Sequence, residues 1–206
     1  MRQNGEGLLL VVSGPAGVGK GTINNALMKR NPNIKMSVSA TTRAPREGEI
    51  DGVHYFFKSE DAFREMIAQN DFLEYMHLFQ MHYSGTPKSF VVDELALGNS
   101  VLLEIDVQGA MKVKQAYPEA VLVFLAPPSM SELKSRLIGR GTESIEAIER
   151  RFAIAFSEVQ MVDKYDYIVV NNIAEVCVAQ MEAIIVAEKC KITRNKETVS
   201  KLLKGI

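Results

Sequence analysis

The chain has 206 residues, 47% hydrophobic and 24% charged, with 24 Lys and Arg against 25 Asp and Glu for a formal net charge of −1. That length buries a sizeable core without disulfides or a structural metal, and the balanced charge excludes a nucleic-acid binder that works through overall basicity. Cys177 and Cys190 lie too far apart for a redox pair or metal cluster, and no apolar run nears the ~18 residues that span a bilayer, so the expectation is a cytoplasmic protein with reduced thiols and no membrane or nucleic-acid partner.

Residues 8–12 form an apolar run ending in a Gly-rich turn, and a helical pattern follows over about 21–30, stopped by Pro32. From about 37 to 88 the rhythm changes to short extended pieces rich in Thr, Arg, Gly and Tyr, with a helix near 59–70. Residues 101–106 predict a second core strand, followed by a short helix before Pro118. A third strand covers 121–125, closed by Pro127 and Pro128. The stretch from about 129 to 163 is helical and Arg-rich, with Ile145, Ile148, Phe152, Phe156 and Val159 on one apolar face. A fourth strand covers 167–170, and a helix runs over about 173–190. Near-continuous apolar strands alternating with helices predict an α/β fold, a parallel sheet buried between helices on both faces. The basic tail, Lys189 to Lys204, reads as solvated charge near helix ends.

Chemistry concentrates first in Ser13-Gly14-Pro15-Ala16-Gly17-Val18-Gly19-Lys20-Gly21-Thr22, between the first strand and the first helix. Gly14, Gly17 and Gly19 permit a loop whose N–H groups converge on one anion. The helix N-terminus adds its dipole, and Lys20 adds a point charge for the β- and γ-phosphates of a nucleotide. Gly21 replaces the usual hydroxyl that helps hold magnesium, which shifts that task toward water, Thr22 or Asp106. Downstream, Thr41-Thr42-Arg43-Ala44-Pro45-Arg46-Glu47-Gly48-Glu49 sets two Arg three residues apart around a Pro that favours extended backbone. A guanidinium can bind two phosphate oxygens at once, so the pair suits a phosphate monoester.

These elements together resemble guanylate kinase. The family pattern is a phosphate loop, VSxTTRxPRxGE, GxxYxF, FxE, YGT, a strand ending DxxG, and an Arg-bearing segment ending GRGT. The resemblance runs from about Leu8 to Ile185, and TTRxPRxGE is its most specific part. It implies a phosphate-loop core of residues 1–36, 89–128 and 160–206, an inserted GMP-binding subdomain over 37–88, and a helical lid over 129–159. Its implied substrates are ATP and GMP, with magnesium accompanying ATP and the oligomeric state open between monomer and homo-oligomer. ATP would be held by residues 14 to 22 (Gly14, Pro15, Ala16, Gly17, Val18, Gly19, Lys20, Gly21 and Thr22) and by Asn171. Ser39, Arg43, Arg46, Tyr55 and Tyr83 match the family's phosphate-binding residues for GMP. Glu74, in Phe72-Leu73-Glu74, matches the residue that reads the base, since a carboxylate accepts both guanine N1–H and the 2-amino group. Thr86 matches the hydroxyl of the YGT element, although Tyr83-Ser84-Gly85-Thr86 is one residue longer between Tyr and Thr, which leaves Ser84 or Thr86 as the source of that hydroxyl. Asp106 ends its strand beside both nucleotides and would orient magnesium directly or through water. Lys20, Arg43, Arg136, Arg140 and Arg151 would stabilise the charge of the migrating phosphoryl group.

Two other classes share parts of this pattern. A GTPase pairs a phosphate loop with DxxG, as in residues 106–109, but needs an NKxD element, and the nearest string is Asn195-Lys196-Glu197-Thr198 in a polar tail. A binding module on the same fold would use Arg43 and Arg46 to hold phosphorylated partners, but Lys20 favours catalysis.

Overall fold

A computed structural model describes residues 7–78, 81–138 and 145–205. The first strand, β1 (Leu9–Ser13), is buried along its whole length. It feeds α1 (Lys20–Arg30), then the short β2 (Ile34–Met36). The chain next builds β3 (Ala40–Thr41), β4 (Phe56–Phe57), α2 (Glu60–Ala68), β5 (Phe72–Leu78) and β6 (His82–Pro87). After α3 (Lys88–Ala96) it returns through β7 (Ser100–Glu104), α4 (Val107–Ala116) and β8 (Val121–Ala126). Two helices, α5 (Met130–Ile138) and α6 (Ile145–Val159), precede β9 (Tyr167–Val170), α7 (Ala174–Cys190) and α8 (Lys196–Leu203).

The main sheet has order β2-β7-β1-β8-β9, and every neighbouring pair is parallel. Strand alternation splits its core in two: Leu10 and Val12 face the layer of Cys177, Val178 and Met181, while Leu9 and Val11 face that of Val91, Ala110 and Val113. The central strands are therefore covered on both faces, as their apolar runs require, while the edge strand β9 leaves Ile168 and Val170 exposed. The edge strand β2 escaped sequence reading because three residues are too few to show a period.

Residues between β2 and α3 form a second sheet of order β4-β3-β6-β5. Its core is small, with Ala40, Phe63 and Phe72 buried. A third small cluster, Leu133, Leu137, Ile148 and Ala155, joins α5 to α6. The carboxyl ends of β1 and β7 open toward the second sheet, and ligands of open α/β folds bind at that edge.

Candidate active site

The loop after β1 carries three positive φ angles, at Gly14, Gly17 and Gly19. Gly19 is obligatory: a Cβ there would lie 2.7 Å from Asn171 Nδ2, which donates to the Val18 carbonyl at 2.7 Å. Asn171 thus clamps the loop from the end of β9. Val18 is core, Pro15 is buried, and Ala16 and Thr22 are exposed. Lys20 Nζ donates to the carbonyls of Gly14 and Pro15, so its ammonium lies over the loop. At position 21 a Cβ would come within 3.9 Å of Glu104 Oε2, and that oxygen accepts from Asn24 Nδ2 at 2.9 Å. A carboxylate oxygen therefore stands next to the place a side chain at position 21 would take.

Facing this loop across a cavity of about 320 Å³ is the second sheet. Gly14, Ala16, Lys20 and Asp106 line one side, and Ser39, Tyr55, Glu74 and Ser84 line the other. The β5–β6 register sets Glu74 opposite Thr86 and Met76 opposite Ser84, which puts all four side chains on one face. Thr86 Oγ1 donates to Glu74 Oε1 at 2.8 Å. Glu74 is 7% exposed, and burial pushes its carboxyl up to about 7, with Thr86 opposing and the nearby Asp106 charge assisting. Thr86 is fully buried behind this carboxylate, whereas Ser84 reaches the cavity wall.

The structure does not bring Tyr83 to the cavity. Alternation along β6 turns its ring to the opposite face, where it stacks on His77 at 4.3 Å and on Phe63 at 5.3 Å. The expectation took Tyr83 for the tyrosine of YGT, yet the residue directly before Gly85 is Ser84, and Ser84 holds the cavity-facing position.

Arg43 and Arg46 also lie off the cavity wall. Glu49 takes Arg43 in a two-pronged ion pair, at 3.0 Å to Nη1 and 2.9 Å to Nη2, and accepts the Arg46 N–H at 2.7 Å. The Arg43 bond and the Arg46 N–H hold the Glu49 carboxyl down at about 2. The guanidinium of Arg43 sits 5.4 Å from the centre of the Tyr55 ring. The motif builds a preorganised cationic loop, with Glu49 as a piece that sequence reading did not single out.

Asp106 caps α4, accepting the Gly109 N–H at 2.7 Å through Oδ1. Glu158, on α6, is a wall residue that sequence reading missed. Burial raises its carboxyl to about 6 against the pull of Lys20, with the Asp106 charge adding to the rise. A signal existed, since Glu158 follows Arg151 by seven residues and so shares its helix face. Arg151 is half-buried while Arg150 is exposed, and Arg136 donates to the Asn171 carbonyl at 3.2 Å. Arg140 lies outside the described residues. Among the described residues no group of three His, Cys, Asp or Glu can hold a metal unaided. Glu104 and Asp106, both on the cavity wall, are hard oxygen donors that fit magnesium carried in on a nucleotide, an ion that keeps most of its ligands as water and phosphate, whereas the exposed Thr22 lies off that wall.

Other sequence expectations meet different surroundings. Asn195 spends its amide on the carbonyls of Lys189 and Lys191, which leaves no guanine-reading element there. The basic tail is not simply solvated: Lys191 meets the buried Glu188 at 2.6 Å, and Tyr167 donates to it at 2.6 Å.

The family model described as guanylate kinase matches residues 6–188. The chain belongs to the guanylate kinase family. It is 52% identical to the guanylate kinase of Caldanaerobacter subterraneus subsp. tengcongensis over 96% of this chain and 95% of that one. It is 50% identical to that of Halalkalibacterium halodurans, over 96% and 97% of the two chains. The crystal structure of guanylate kinase from Anaplasma phagocytophilum matches with a TM-score of 0.77 at 32% identity, covering 93% of this chain and 90% of that one. Among the described residues no helix is long and apolar enough to cross a membrane.

Proposed function

We propose that the chain transfers the γ-phosphoryl group of ATP to GMP, giving ADP and GDP, in the cytoplasm. The observation that carries this reading is the placement of the buried Glu74 carboxylate and the Lys20 phosphate loop on opposite walls of one cavity. Guanine offers N1–H and a 2-amino group side by side, and Glu74 accepts both once it is ionised. Thr86 fixes the carboxylate's orientation, and the two guanine donors supply further bonds that stabilise its charge. Adenine presents an acceptor at N1 and no 2-amino group, so it leaves Glu74 buried and unpaired; such a mismatch costs on the order of 10⁴-fold in selectivity.

Ser39, Tyr55 and the Arg43–Arg46 loop receive the GMP phosphate, which competes with Glu49 for the Arg43 guanidinium. We assign the cavity-facing hydroxyl to Ser84 and give Thr86 the positioning role. The loop N–H groups and Lys20 hold the β- and γ-phosphates of ATP, with Asn171 fixing the loop's shape. The acceptor phosphate oxygen is already a nucleophile, so no side chain needs to act as a strong base. Magnesium on ATP would neutralise developing charge, with Asp106 and Glu104 orienting its water shell. Arg136 on α5 and Arg151 on α6, with Arg140 between them in the sequence, would belong to a lid that brings cationic charge to the migrating group on closure.

A coupled ADP-release assay with ATP plus GMP, AMP, dTMP or no acceptor tests this. Turnover with GMP well above the other three is the expected result. No turnover with GMP above the acceptor-free control would remove the kinase reading, and equal rates with AMP would remove the role of Glu74.

A further inference from the structure

The outer face of α7 carries an apolar stripe that the monomer leaves unused. The helix turns Cys177, Val178, Met181 and Ile185 into the core. On the opposite side, at 3.6 residues per turn, lie Val176, Ala179, Ala183, Val186 and Cys190, all exposed and spaced by alternating threes and fours. Val176 is 50% exposed and Val186 62%. A helix that is apolar on both faces is normally packed on both, and this spacing is that of a two-helix seam.

Charge on the flank tells what the second partner is. Glu175 stands at one end of the stripe and Lys189 at the other, both exposed. Between them Glu182 is already satisfied, by Arg30 at 2.8 Å and by the Asn31 amide at 2.8 Å. We propose that α7 docks on α7 of a second copy of this chain, antiparallel, about a two-fold axis at Ala183. Val176 of each copy then meets Cys190 of the other, and Ala179 meets Val186. Glu175 of each copy faces Lys189 of the other, twice over. Glu182 lies near the axis, where its existing ion pair quenches repulsion from its own symmetry mate. A parallel pair would instead set Glu175 level with Glu175 and Lys189 level with Lys189. Ala179 and Ala183 let the two helices approach at the short end of the usual 8–10 Å separation. At ~1.5 Å per residue the helix gives a strip ~25 Å long, and two such strips bury on the order of 1,000 Å², the lower edge of specific interfaces. The dimer is therefore concentration-dependent. Its existence does not rest on the reaction proposed for the cleft.

Sedimentation of the full chain tests the proposal. From micromolar concentration to roughly 1 mM, the mass should rise from 22.9 kDa toward twice that value. Val186→Glu should hold the chain monomeric throughout with unchanged turnover. Glu175→Lys should raise the dissociation midpoint about tenfold, and Glu175→Lys combined with Lys189→Glu should restore it. Under mild oxidation Ala183→Cys, in a Cys190→Ser background, should yield a covalent dimer. Native Cys190 should not, because its two copies lie about 20 Å apart along the pair. A chain that stays monomeric at every concentration overturns the proposal. So does a dimer indifferent to Val186→Glu and the charge swap, or one cross-linked through Cys190 and not through residue 183.

Discussion

The two sheets that face each other across the cleft are built to different standards. The parallel sheet is buried on both faces, and its central strands β1 and β8 have no exposed residue. Among the described residues the smaller sheet has a core of Ala40, Phe63 and Phe72, with Tyr83 and Phe56 packed around them. The Gly-rich loop is thus held by a large core and by Asn171, while the wall facing it is a lighter platform. What stiffens that platform is local: the Thr86–Glu74 bond, the Glu49–Arg43 pair and the stack of His77, Tyr83 and Phe63. Under the proposed assignment of ATP to the loop and GMP to the small sheet, a rigid donor side and an adjustable acceptor side would suit a reaction that needs both substrates enclosed before transfer.

Substitutions on the two sides should separate accordingly. Lys20→Ala should lower kcat by about 10³-fold or more in steady-state turnover, while GMP affinity by calorimetry stays within about twofold. Loss of GMP binding in that variant would mean the sides are not separable. Glu74→Gln should cost about 10²- to 10³-fold in kcat/KM for GMP and narrow the preference over AMP, whereas Thr86→Val should cost only about tenfold. Equal losses in the two would make Thr86 a substrate contact rather than a positioning residue.

Stability should show the same division. Leu10→Ala should destabilise the whole molecule by about 2–5 kcal/mol in urea unfolding. Phe63→Ala should instead speed amide exchange in β5 and β6 and raise KM for GMP, with little change in exchange of β1 or β8. Equal exposure of both sheets in Phe63→Ala would show one cooperative unit.

The smallest effect is the pH dependence of the protein without nucleotide. The folded carboxyl of Glu74 lies near 7, above the ordinary value of 4.5. Burial therefore favours the protonated form, so its contribution is full below about pH 4.5 and is lost as pH rises through about 7. The fall amounts to a few kcal/mol at most, since each tenfold change in proton affinity is worth about 1.4 kcal/mol, and Glu74→Gln should remove most of it. If Glu74 reads guanine as proposed, its proton must leave on binding, so GMP binding near pH 6 should release protons, a release that Glu74→Gln should abolish when measured in buffers of different ionisation heat. No buffer dependence beyond that of the GMP phosphate would remove the coupling.

Much of the core is legible in the sequence alone. Apolar runs reported β1, β7 and β8 because strands buried on both faces are nearly all apolar, and β9 by its apolar composition alone, since at the sheet edge its Ile168 and Val170 stay exposed. The Gly-rich loop declared itself because its glycines and Lys20 sit between a strand and a helix, a pattern carried by local backbone geometry. Glu74 and Asp106 were legible only through flanking motifs, since a lone carboxylate carries no period. The sequence by itself thus determined the α/β layering, the loop and the family. Tertiary structure decided what depends on facing: that Tyr83 turns away and Ser84 turns in, that Glu104 stands beside Gly21, and that Glu158 joins the wall. Each of these rests on a register between segments tens of residues apart, which no single segment encodes. The charge of −1 resolves in the same way. It is a sum over the whole chain and hides a cleft where Lys20 faces Glu74, Glu104, Asp106 and Glu158, signs that only folding brings together.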